Sequence, residues 1–182
     1  MRSLILIVIL LSSITIIGQN FHTEFEYEPT GITIKNSYPK GGQKHKAFNG
    51  KEFIYVTFWT CISNDTASTM ELEIDFPADS FTLPSSPGTN FNVSIPNDEM
   101  KLEKESLPNY GLDITAFLEE KINKKSNLRA TIVPFSSHLF YTVVISDRGV
   151  NGPLRAGYEL KDGKIIYKIN DFDLQCGRII SK

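Results

Sequence analysis

The chain has three histidines, His22, His45 and His138. Ser136-Ser137 directly precede His138, and a nucleophilic site needs a hydroxyl and a base that meet in space. Adjacency in sequence does not provide that geometry, and no Gly-x-Ser-x-Gly elbow is present. His22 lies near the start of the chain and His45 in a polar Gly/Lys stretch. The serines and His138 read as turn residues opening a strand. Glu71, Glu73 and Asp75 recur at every second position. In a strand they share one face about 7 Å apart, within the roughly 5–9 Å used by glycoside-cleaving carboxylates. Any amphipathic strand with a wet acidic face produces this spacing, and that is the reading adopted. Asn170, Asp171 and Asp173 offer oxygen ligands for calcium, but the Gly and distal Glu of an EF-hand loop are not at their offsets. They read as a polar turn. No residue is assigned a catalytic, cofactor-binding or metal-ligating role.

Two further groups carry expectations. Cys61 and Cys176 are the only cysteines. Outside the cytoplasm a thiol pair can oxidise, so a Cys61–Cys176 disulfide is one expectation and two buried free thiols the other. Phe53, Tyr55 and Trp59 lie on one side of a strand. Exposed, that aromatic row is a contact face for sugar rings or a peptide. Covered by a helix through Phe117 and Leu118, it is ordinary core, and this second reading is preferred. Ser85-Ser86, held between Pro84 and Pro87, suits either a rigid contact or a plain connection.

Strands must position these residues. Met70, Leu72, Ile74 and Phe76 alternate with Glu71, Glu73 and Asp75, which gives a half-buried strand over 69–76. Residues 31–35 form a shorter one. The segment 52–63 is apolar on both sides and reads as a central strand covered on both faces. Phe91, Val93 and Ile95 alternate with asparagine and serine. Residues 139–145 are continuous and β-branched. Leu154 to Leu160 and Ile165 to Ile169 flank Asp162-Gly163, a hairpin turn that tolerates positive φ. A last strand carries Phe172, Leu174 and Cys176, with Gly177 as a bulge marker. Ile114, Phe117, Leu118, Lys121 and Ile122 fall at helical spacing, and Asp113 suits the N-cap. The spacing predicts one helix over 114–124. Lys121, Lys124, Lys125 and Arg129 would be its solvated basic end. Pro and Gly mark loops at 38–50, 83–88 and 147–152. The expected class is mainly β, an antiparallel β-sandwich of immunoglobulin-like architecture with that one helix inserted.

The N-terminus gives the compartment. Arg2 precedes an apolar run, Leu4 to Ile17, that closes at Gly18. At about 1.5 Å per helical residue the run spans roughly 21 Å, short of the roughly 30 Å of a hydrocarbon core. Residues 1–18 therefore read as a secretory signal peptide, and residues 19–182 as a single β-sandwich domain. No membrane span is expected after cleavage. The formal net charge of −2 shows no basic excess of the kind nucleic-acid binding requires.

Several segments carry a likeness: Asn36-Ser37-Tyr38-Pro39-Lys40-Gly41-Gly42, Phe58-Trp59-Thr60, 72–77, 83–87 and Asn109-Tyr110-Gly111-Leu112, with a weaker echo at Cys176-Gly177. This combination resembles a family of small exported bacterial proteins of unknown function. The resemblance implies export to the periplasm or beyond and a shared fold, and it supplies no cofactor, substrate or catalytic residue. The function expected is a non-enzymatic binding or accessory module of the cell envelope, with an envelope protein or glycan as partner. The alternative is a small secreted hydrolase acting on carbohydrate or peptide, which needs His138 close to Asp75 or Glu73. A third is a surface protein that associates through its edge strands.

Overall fold

The computed structural model describes residues 26–27, 31–48, 50–121, 124–150 and 152–182. The leader expected over 1–18, His22 and Ile122 lie outside these. The chain enters as β1 (Glu26–Tyr27) and β2 (Ile32–Asn36), then forms β3 (Lys40–Lys46) and β4 (Glu52–Asn64). It crosses as β5 (Met70–Phe76) and returns for β6 (Phe81–Leu83) and β7 (Ser86–Ser94). Two 3₁₀ turns (Leu102–Lys104 and Pro108–Gly111) lead to helix α1 (Ile114–Lys121). The remainder is β8 (Ser126–Ile132), β9 (Ser136–Ser146), β10 (Ala156–Lys161), β11 (Lys164–Ile169) and β12 (Phe172–Ser181).

These strands build two antiparallel sheets. The first has the order β1-β2-β4-β9-β7-β6, with β3 also paired to β4. The second has the order β10-β11-β12-β5-β8. The sheets pack face to face as a β-sandwich. Ile34, Phe58, Ile62, Phe91, Val93, Phe140 and Val144 of the first sheet meet Leu72, Ile74, Phe76, Tyr158, Ile165 and Tyr167 of the second. This apolar contact supplies the main driving force, at about 25 cal/mol per Å² removed from water.

The other face of the first sheet is also dry. Phe53, Tyr55, Trp59, Tyr141, Val143 and Ile145 pack under Met100, Tyr110, Leu112, Ile114, Phe117 and Leu118. The molecule therefore has three layers: the second sheet, the first sheet, and a cover formed by residues 100–118. Successive side chains on a strand point to opposite faces. The doubly apolar sequence of β4 is thus accounted for by two separate cores.

The cover is held by specific bonds. Asp113 Oδ1 accepts from the Ala116 N–H at 3.2 Å, the N-cap expected for α1. Lys40 Nζ donates to the Glu105 and Leu107 carbonyls and sits 4.2 Å from the centre of the Tyr110 ring. Tyr110 OH donates to the Tyr38 carbonyl at 2.6 Å, and Tyr141 OH donates to the Tyr110 carbonyl at 2.8 Å. His45 Nε2 lies 3.0 Å from Glu119 Oε1 and ties β3 to α1.

Several boundaries differ from the sequence expectations. The described helix ends at Lys121, and residues 122–123 lie outside the description. The loop expected over 38–50 contains β3, and the Pro-rich connection is the β6–β7 hairpin. β3 pairs on one side only, so it can be built from lysine and glycine without an apolar face. At Gly177 the expected bulge is present, with Ile165 opposite Gly177 and Ile166 opposite Gln175. A Cβ at Gly177 would fall 2.0 Å from the Glu73 carbonyl oxygen, so only glycine lets β12 approach β5 here.

Candidate functional site

The residues singled out by sequence are placed as follows. Cys61 and Cys176 are both free and buried, so the expected disulfide is corrected. Cys61 faces the outer core under the cover, whereas Cys176 faces the core between the sheets. The backbone of the first sheet separates them. Burial pushes the Cys176 thiol up to about 12 and also raises that of Cys61. Both remain as thiols.

The aromatic row is not an open contact face. Phe53 and Tyr55 are each 5% exposed and Trp59 is 0% exposed, beneath Phe117 and Leu118 of α1. The helix spends its apolar side on this row. Phe53 alone also reaches a cleft, described below.

Ser137 and His138 cannot act as a pair. In the β4–β9 ladder Ser137 stands opposite Ser63 and His138 opposite Ile62, so the two project from opposite faces of β9. Ser137 Oγ lies 2.8 Å from Ser63 Oγ. His138 stacks on Phe140 with centroids 5.9 Å apart, and its Nε2 is buried without a hydrogen-bond partner. Burial holds the imidazole below its ordinary value, against a weaker opposing effect from Glu99.

The acidic strand face is a ladder of ion pairs on the solvent side of the second sheet. Glu71 meets Lys182 at 2.9 Å, Glu73 meets Arg178 at 2.7 Å and Asp75 meets Arg129 at 2.7 Å. This face turns away from the first sheet, which carries His138. The grouping that a hydrolase reading required is therefore not assembled. Arg129 belongs to β8, and Lys125 also approaches Asp75 at 4.0 Å. These two members of the expected helix-end patch thus serve the second sheet.

The Asn170-Asp171-Asp173 oxygens are engaged elsewhere. Asn170 Oδ1 accepts from the Arg155 N–H at 2.8 Å, Asp171 Oδ1 accepts from Ser85 Oγ at 2.8 Å, and Asp173 pairs with Lys161 at 3.3 Å. The Ser85 loop is thereby docked on the β11–β12 turn. Among the described residues, no group of three or more His, Cys, Asp or Glu side chains could hold a metal ion. No described helix is long and apolar enough to cross a membrane.

A different set of residues converges at one end of the first sheet. The start of β4, the β5–β6 connection, β7 and the end of β9 enclose a cleft of about 470 Å³. Its lining includes the edges of the nearly buried Phe53 and Ile145 and the polar groups of Lys51, Asp79, Asn90, Asn92 and Asp147. Three of the polar groups, Asn90, Asn92 and Asp147, are fixed by hydrogen bonds. Asp147 Oδ1 accepts from the Asn90 N–H at 3.0 Å and Oδ2 from Asn90 Nδ2 at 2.7 Å. Asn92 Nδ2 donates to the Ala78 carbonyl at 2.9 Å. Lys51 Nζ stands 4.9 Å from the centre of the Phe53 ring. Burial raises the Asp147 carboxyl, but the two Asn90 bonds, Arg148 and Lys51 outweigh it and leave Asp147 below the usual carboxylate range. The carboxylate is ionised at neutral pH.

A second cleft, of about 330 Å³, opens on the inner face of the same sheet between Pro39–Gly42 and Gly149–Leu154. Ile54, Val56, Phe91 and Leu154 make it mostly apolar. Sequence reading missed the polar cleft because its residues come from four separated segments. The available signal was Asn90-x-Asn92 on a wet strand face, with Asp147 where β9 ends.

Compared with known proteins, the chain matches no family model, no curated protein and no solved structure.

Proposed function

We propose that this is an exported, non-catalytic binding or accessory module of the cell envelope. The export part rests on the leader-like sequence of residues 1–18. The binding part rests on one observation above the rest: Asn90, Asn92 and Asp147, which line one cleft, are already fixed by internal bonds. A preorganised concave surface with few polar groups is what ligand recognition requires. The candidate nucleophile and base instead point to opposite faces of β9, and the acidic row is neutralised by partners.

Cell fractionation tests this reading. The chain is expected outside the cytoplasm, with its N-terminus beginning near residue 19, and retained by washed envelope material. Full-length chain held in the cytoplasm, or processed chain that washes freely from the envelope, overturns it.

A further inference from the structure

We infer that copies of this chain join head to tail, the β8–β9 hairpin tip of one copy seating in the mostly apolar cleft at the far end of the next. This association goes beyond the envelope reading and does not depend on it.

The tip combines two unfavourable features. Pro134 and Phe135 are the central residues of the turn between β8 and β9, and Ser136 Oγ donates to the Val133 carbonyl at 2.7 Å. Phe135 has a φ of 56°, in the left-handed region that bulky side chains rarely enter. A turn with proline followed by a residue of positive φ favours glycine or asparagine at that residue. Here the position holds a phenylalanine that is 75% exposed, beside Val133 at 52%. The strain is not explained by packing within the chain. Its effect is to hold an apolar ring out from the end of the sandwich, and such outliers point to function. Asn64 Nδ2 donates to the Ile132 and Val133 carbonyls, so the base of the tip is fixed.

The cleft of about 330 Å³ is the complement. Pro39, Ile54, Val56 and Val150 line it half-buried and Pro153 lines it exposed, so its apolar wall is open to solvent. No charged residue among the described ones lines it.

Position decides the occupant. In the β4–β9 ladder the tip adjoins Asn64 and Ser136, whereas the cleft lies at Ile54 and Ser146. Ten residue steps along a strand amount to roughly 33 Å, so the tip cannot reach the cleft of its own molecule. The same chain thus carries both the surface that needs cover and the cavity that can cover it, at opposite ends. A contact between the two is heterologous and leaves a tip and a cleft free for further copies. One hairpin tip buries far less than the roughly 1,200–2,000 Å² of a stable interface, so the association is weak and concentration-dependent.

Sedimentation velocity of the purified protein over roughly 10 µM to 1 mM, a range suited to a weak contact, tests this. The weight-average mass is expected to rise with concentration past that of a dimer. Phe135→Asn suits the left-handed φ, so it should leave the Tm unchanged or higher while holding the protein monomeric. Gly149→Leu should block association from the other side. Gly149 lies outside the left-handed region, and its Cβ would stand 3.4 Å from Ile54 Cδ1, which places the new side chain in the cleft. Mixed, the two folded variants should form a 1:1 pair that grows no further, the tip of Gly149→Leu entering the cleft of Phe135→Asn. Four results would each overturn the inference: a protein monomeric at the highest concentration, association that stops at a dimer, association unaffected by Phe135→Asn, or a mixture of the two folded variants that stays monomeric.

Discussion

The side-chain amide of Asn36 gives Tyr158 both hydrogen bonds that a neighbouring strand would give. Its Nδ2 donates to the Tyr158 carbonyl at 3.1 Å, and its Oδ1 accepts from the Tyr158 N–H at 2.9 Å. Oδ1 also accepts from Thr60 Oγ1 at 2.9 Å. Asn36 is in the first sheet and Tyr158 in the second, so one fully buried amide closes the edge of β10 against β2. Asn64 does comparable work elsewhere, donating from β4 to the Ile132 and Val133 carbonyls at 3.0 and 3.2 Å.

Asn36→Ala is therefore expected to cost about 2–4 kcal/mol, because it strands a buried N–H, a carbonyl and a hydroxyl together. Asn36→Leu should not recover the loss, since shape without hydrogen bonding leaves the same groups unpaired. Urea unfolding of the three proteins checks this, and a loss under about 1 kcal/mol for Asn36→Ala would contradict it.

Two core tyrosines should respond in opposite directions. Tyr158 OH lies 2.9 Å from Thr142 Oγ1, whereas Tyr167 OH is buried with no hydrogen-bond partner. Burial drives both hydroxyls well above their ordinary range, so both are neutral. Tyr158→Phe is expected to destabilise by about 1 kcal/mol, and Tyr167→Phe to be neutral or stabilising by a similar amount. Paired denaturation curves decide it.

The thiols supply a third test. Both cysteines are free and buried on opposite sides of the first sheet. Denatured, unreduced protein should give two titratable thiols per chain, and folded protein should react slowly at both. Finding none on denaturation would restore the disulfide and require the sheets to be arranged differently.

His138 predicts a pH effect. Its folded value lies below the unfolded value of about 6.5, because burial disfavours the charged ring. Between those values the unfolded chain binds more protons, so its contribution to stability is complete above about 6.5 and is lost as pH falls toward the folded value. Glu71 and Asp147, held below the usual carboxylate range, act in the same direction at lower pH. Stability measured against pH should decline through weak acid, and His138→Gln should flatten that part of the curve alone.

Much of this architecture was readable from residue order. The alternation at Met70–Phe76 gave a strand and its wet face, and the apolar pattern on both sides of β4 required cover on both sides. Asp162-Gly163, with φ of 52° and 76°, forms the expected tight hairpin. β3 was not readable, because an edge strand paired on one side needs no apolar alternation, and Lys40–Lys46 has none. The cleft was also hidden. Asn90 looks like ordinary strand decoration until β9 brings Asp147 to within hydrogen-bond distance, and that pairing belongs to the fold rather than to any local pattern.

Retention on washed envelope material by the protein and by its Asn90→Ala, Lys51→Met double variant, compared side by side, tests the account most directly. The unaltered protein is expected to be held, while the folded double variant washes through. Equal retention of the two proteins would contradict it, because the attachment would then lie away from the cleft.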